Sequence, residues 1–190
     1  MIAVRAPAWP LLALVAAGCG PYLQYRAAPP APTANGRVFV DVRDSREPKA
    51  GGTNHAEVGM QTGTFGIPDV IHVDSPTRVA ETVRALVSDA ARAAGVGVTE
   101  DPGAASARVV VDLQRLWCTG YSPAYKADVT ASLSVLDASG RQIRVPGMPL
   151  HAEDGGMKCQ RVFKHALSAF FDATRAMLSN PNVSAAFVAK

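Results

Sequence analysis

Cysteine supplies the most distinctive chemistry in this chain, at three positions: Cys19, Cys118 and Cys159. Cys19 follows Ala16-Ala17-Gly18 directly. The thiolate of such a residue is a nucleophile. Other reactive types lack a working pattern. His55, His72, His151 and His165 are scattered without metal-site spacing. His55-Ala56-Glu57 has the outline of a zinc deaminase motif, but no Cys-x-x-Cys supplies further ligands. The glycines from Gly59 to Gly66 precede no Lys-Ser/Thr pair, so they form no phosphate loop, and no Gly-x-Ser-x-Gly elbow exists. His151 with Glu153-Asp154 is a local cluster worth testing, in a link where such groups usually face solvent. These residues lead to no catalytic set, no metal site and no cofactor, and an enzyme is not expected.

The elements around Cys19 give it a role. Residues 1–18 have one positive charge (Arg5), an apolar run from Ala6 and small residues at the cut, the three parts of a secretory signal. The apolar run of about 13 residues is short of the roughly 20 a spanning helix needs. The segment resembles a bacterial lipoprotein processing site, which implies a diacylglycerol thioether on Cys19, cleavage before it, and a further amide-linked chain such as palmitate. Ala16 departs from the Leu usual at that position. A conventional secretory cut near Gly18, with Cys19 an ordinary thiol, is the other reading; the residues favour lipidation. Several acyl chains at about 0.8 kcal/mol per buried CH₂ make a durable anchor. Gly20 after the cysteine, rather than Asp, implies by the same resemblance sorting to the outer membrane.

Removing that segment leaves 172 residues, enough for one domain and a tether. Arg5 leaves with it, so the formal charge falls from +3 to +2, and no basic-aromatic patch points to nucleic acid. With Cys19 lipidated, Cys118 and Cys159 remain. In an oxidising compartment that even remainder suggests one disulfide, the alternative being two separate buried thiols.

Residues 19–36 form a Pro-rich, semi-stiff tether. The domain then spans 37–190. Arg37–Arg43 alternates with period two and reads as a strand. A Gly-rich stretch follows from Asp44 to Asp74, with short strands possible at Glu57–Met60 and Val70–Val73. Asp74 or Ser75 caps a helix begun by Pro76, whose stripe is Val79, Val83, Leu86, Val87, Ala90 and Ala94, ended by Gly95. Val96–Val98 is a short strand. Ala107, Val109, Val111 and Leu113 share one strand face. Tyr125, Ala127, Val129, Ala131, Leu133 and Val135 alternate with Lys126, Asp128, Thr130, Ser132 and Ser134, the pattern of a strand with one wet face. A turn at Asp137-Ala138-Ser139-Gly140 leads to a return strand at Ile143 and Val145. After a Gly-containing link, Cys159–Leu178 reads as a second helix, with Phe163 and Phe170 as core. Asn180-Pro181 stops it, and a last turn follows. The expected fold is an α/β (α+β) two-layer sandwich: a mostly antiparallel sheet with two amphipathic helices on one face.

This order of elements, with Lys126-Ala127-Asp128 entering a Ser/Ala-rich strand closed by Asp-Ala-Ser-Gly, resembles the YajG-like lipoproteins. The Gly-rich loop at 51–66 and the pair Cys118 and Cys159 depart from that pattern. The fold is also similar to that of peptidoglycan-synthase-activating lipoproteins and the amino-terminal domain of TolB. The resemblance implies a non-catalytic, lipid-anchored envelope protein facing the periplasm and acting on an envelope protein partner. The face Lys126, Asp128, Thr130, Ser132 and Ser134 is either solvated or a docking surface. A second expectation is an accessory of envelope lipid transport or cell-wall synthesis. Lipid handling would need an apolar groove lined by residues such as Leu86, Phe163 and Phe170. No small-molecule ligand is expected.

Overall fold

A computed structural model describes residues 36–47, 55–62, 68–75, 77–121, 124–143, 150–156, 159–185 and 187. The signal segment, Cys19, nearly all of the tether, Pro76, Val145 and much of the Gly-rich stretch lie outside them.

The sheet is built on two long antiparallel partners, β5 (Ala107–Tyr121) and β6 (Ala124–Asp137). Shorter strands sit end to end along their outer edges. Beside β5, β1 (Arg37–Asp44) pairs in parallel with Ala107 to Leu113, and β2 (Glu57–Thr62) pairs in parallel with Cys118 to Gly120. Beside β6, β7 (Gln142–Ile143) pairs with Val135 and Leu136, and β8 (Leu150–Gly156) with Tyr125 to Ala131. The strands β3 (Pro68–His72) and β4 (Gly97–Val98) complete the edges against β2 and β1. The ladders are antiparallel except those of β1 with β4 and β5 and of β2 with β5, so the sheet is mixed.

Helices α1 (Arg78–Ala93) and α2 (Cys159–Leu178) pack on each other; α1 lies on β1 and α2 on β5, β6 and β8. Their apolar stripes meet Val38, Val40 and Val42 of β1, Val109, Val111 and Leu113 of β5, and Ala127, Val129 and Ala131 of β6. Burying such side chains contributes roughly 1.5–3 kcal/mol each for the larger ones. The result is the two-layer α/β sandwich. Helix α1 ends as its sequence requires. Gly95 takes φ +80°, and Gly95 and Val96 donate to Arg92 and Ala91 carbonyls, a Schellman arrangement. Its start lies slightly later than expected. Thr77 is the cap without a side-chain cap bond, because Ser75 Oγ accepts from Thr77 itself and Asp74 pairs with Arg78. A one-turn α3 (Pro181–Ser184) is capped by Asn180, whose side chain accepts from the Asn182 amide at 3.0 Å.

Two differences from the sequence reading matter. The link expected before α2 contains strand β8, which places His151 opposite Thr130 and Glu153 opposite Asp128 in register. Strand β5 also runs on to Tyr121. Gln114 has no partner on β6, so the ladder slips by one residue between Leu113 and Arg115. Odd-numbered residues face the core before this bulge and even-numbered ones after it: Leu113 is fully buried, and so are Leu116 and Cys118.

Candidate functional site

The bulge has a direct chemical consequence. It turns Cys118 inward, toward the helical layer, where a disulfide joins it to Cys159, the first residue of α2. Their Cα atoms are 6.2 Å apart, an ordinary span for a bridge. Both residues are buried. The bond ties the far half of β5 to the start of α2 and has no open path to a substrate.

On the opposite face, β6 presents the predicted row. Lys126 is exposed, while Asp128, Thr130, Ser132 and Ser134 are half-buried by their sheet neighbours. Neighbouring strands widen it. Arg115, which the bulge swings to this side, forms an ion pair with Asp128, and Thr130 Oγ1 donates to Asp128 Oδ1 at 3.3 Å. Arg108 lies over the Phe39 ring at 5.7 Å, and Asp112 accepts from Ser45 Oγ at 2.5 Å. The β6 row is short-chained from Asp128 to Ser134, the longer Arg108, Arg115, Trp117 and Phe39 flank it, and the Arg115 and Asp128 charges are paired within the sheet. Period-two alternation puts Arg108 opposite the core face of its strand, but it does not bring Arg108 beside Phe39 or place Arg115 and Trp117 on this side. Finding them requires the parallel β1–β5 register and the bulge, which no local spacing signals.

A third feature lies where β1 ends. Arg46 is buried yet charged, and it grips the Asp44 carboxylate through Nε and a terminal nitrogen, both at 2.8 Å. It also donates to the carbonyls of Glu57 and His55, at 3.0 and 2.5 Å. His55 Nδ1 lies 3.5 Å from the same carboxylate. Burial by itself pushes the Asp44 carboxyl up; hydrogen bonds and charge from Arg46, with a smaller share from His55, hold it below the usual carboxylate value. The knot closes the connection between β1 and β2 at both ends. Glu57 Oε2 nearby is buried with no hydrogen-bond partner among the described residues.

Among the described residues, no three of His, Cys, Asp and Glu converge as a metal site. His55 lies just before β2, His72 ends β3 and His165 is on α2. Leu86, Phe163 and Phe170 are fully buried in the core, so the apolar groove that lipid handling would need does not open at them. No described helix is long and apolar enough to cross a membrane.

A mixed sheet with two helices on one face and an open second face defines an α+β sandwich class. A solved structure shares this fold. A Xanthomonas campestris protein assigned to the family DUF330 superposes with a TM-score of 0.53 at 13% identity, covering 87% of this chain and 94% of that one. A protein described as uncharacterized gives 0.48 at 11% identity, with 82% and 97% covered. A PelC dodecamer from Paraburkholderia phytofirmans gives 0.39 at 13% identity, with 82% and 95% covered. No family model and no curated protein matches the sequence.

Proposed function

We propose that this chain is a bacterial envelope lipoprotein of the YajG-like kind, held by lipid on Cys19 and acting as a non-catalytic protein-interaction module in the periplasm. The run Ala16-Ala17-Gly18-Cys19 carries the reading, since it joins a signal segment to a thiol at the cut. The fold shared with the DUF330 protein is compatible with it. The open face around Lys126, Asp128, Thr130, Ser132 and Ser134 supports the interaction role: short side chains on a broad sheet let a partner backbone approach closely. Gly20 favours the outer membrane as the site of anchoring.

The test is Cys19→Ala in cells fed labelled palmitate. The variant is expected to lose the label and leave the membrane fraction. Retention of both would overturn the anchor. Photo-crosslinkers at Lys126 and Ser132, with exposed Glu100 as the control position, then test the face. A partner captured equally from all three positions would remove it as the docking surface.

A further inference from the structure

Among the described residues, the end of β1, His55 just before β2 and one side of α1 border an open pocket of about 440 Å³, within the range of roughly 300–1,000 Å³ typical of small-ligand sites. Asp44 and His55 line one part of it. Arg46 fixes that part by binding the Asp44 carboxylate and the His55 carbonyl, and it offsets the Asp44 charge. Glu81 and Arg84 of α1 line another part, three residues apart on one helix face, which sets their Cβ atoms about 5–6 Å from each other. They form no ion pair together, and Arg84 has no hydrogen bond or ion pair to any described residue. Glu81 lies close enough to Arg78 to favour its charged form, but the Arg78 guanidinium is held by Asp74 at 2.9 and 3.0 Å. Val42 and Ala80 add apolar surface.

A carboxylate and a guanidinium side by side select against simple ions, because Glu81 repels an anion and Arg84 repels a cation. They match a ligand that carries both charges a few ångströms apart. We propose that this cavity binds a small zwitterion of the α-amino acid class, its ammonium against Glu81 and its carboxylate against Arg84. Val42 and Ala80 then receive an apolar side chain, for which a cavity of this size leaves room. The site is independent of the lipid anchor and of the open sheet face.

Amide chemical-shift titration of the full-length chain in detergent tests it, with leucine, N-acetyl-leucine (no ammonium) and leucinamide (no carboxylate) as probes. Leucine is expected to give saturable shifts centred on Val42, His55, Ala80 and Arg84. Each trimmed probe should bind about tenfold more weakly or worse, the loss of one charge-assisted hydrogen bond. Glu81→Gln should weaken leucine but leave N-acetyl-leucine unchanged, and Arg84→Gln should weaken leucine but leave leucinamide unchanged. Both side chains are exposed, so unaltered shifts elsewhere certify folding. No shift with leucine up to about 20 mM overturns the proposal. So does binding of either trimmed probe as tight as that of leucine, or shifts confined to other parts of the chain.

Discussion

Arg46 is 8% exposed, and its guanidinium meets one carboxylate and two backbone carbonyls. A charge so far out of water survives only because its donors are matched. Arg46→Met keeps comparable bulk but leaves the partly buried Asp44 with His55 and the residue-46 backbone amide in place of the guanidinium. The expected cost is about 2–3 kcal/mol, read from urea unfolding at neutral pH. The sign of the pH effect follows from Asp44, whose folded-state carboxyl lies below its usual value. Its stabilisation is fully present above the unfolded carboxyl value of about 4 and is lost as pH falls through the lower folded one. The natural chain should therefore lose stability on acidification below about pH 4 more steeply than the variant. A variant within about 0.5 kcal/mol of the natural chain would reduce the knot to an ordinary surface pair.

Elements differ in how openly the sequence announces them. Strand β6 alternates almost without fault, and both helices carry continuous stripes, so their existence, their faces and the wet row from Lys126 to Ser134 are legible from residue order. Gln114 breaks the period of two in β5, so Arg115–Tyr121 does not read as its continuation although it pairs with β6 to the end. Strand β8 is hidden for another reason: Glu153-Asp154-Gly155-Gly156 has poor strand propensity, and its pairing with β6 overrides that. The cavity beside α1 draws on residues 42 to 84 with no motif among them, and only the fold assembles it. Glycine at one contact is equally silent in sequence. A Cβ on Gly59 would lie within 2.4 Å of the Cys118 carbonyl oxygen, backbone against backbone. Gly59→Ala must push β2 off β5, and it is expected to cost at least about 2 kcal/mol in thermal or urea unfolding. A neutral result would mean that β2 does not depend on this close approach.

At the scale of the molecule, the parallel pairing of β1 with β5 decides at which end of the long ladder Gly36 lies. Gly36, where the proposed tether would join the domain, sits beside the start of β5, the end of β6 and Phe187. The Tyr121–Ala124 pair lies at the other end of the long ladder, about 45 Å away at roughly 3.3 Å per residue. Tyr121 there is 63% exposed, the large hydrophobic most open to solvent among the described residues. At that end β2 and β8 flank β5 and β6, and the Cys118–Cys159 bond braces it further by tying β5 to α2 across a separation of 41 residues. In the chain-entropy account, a loop of that length contributes about 4 kcal/mol by restricting the unfolded chain. Because both sulfurs are buried, reductant should act only when the distal end opens. Native protein is thus expected to show neither thiol to an alkylating reagent, and both after unfolding in reductant. The urea midpoint should fall by the same amount in reduced protein and in a Cys118→Ala/Cys159→Ala variant, with hydrogen exchange rising first in Leu116–Tyr121 and at the start of α2. If reduction left the midpoint and the exchange pattern unchanged, the rigidity of the far end would have to come from the ladders of β5 with β2 and β6 and of β6 with β8.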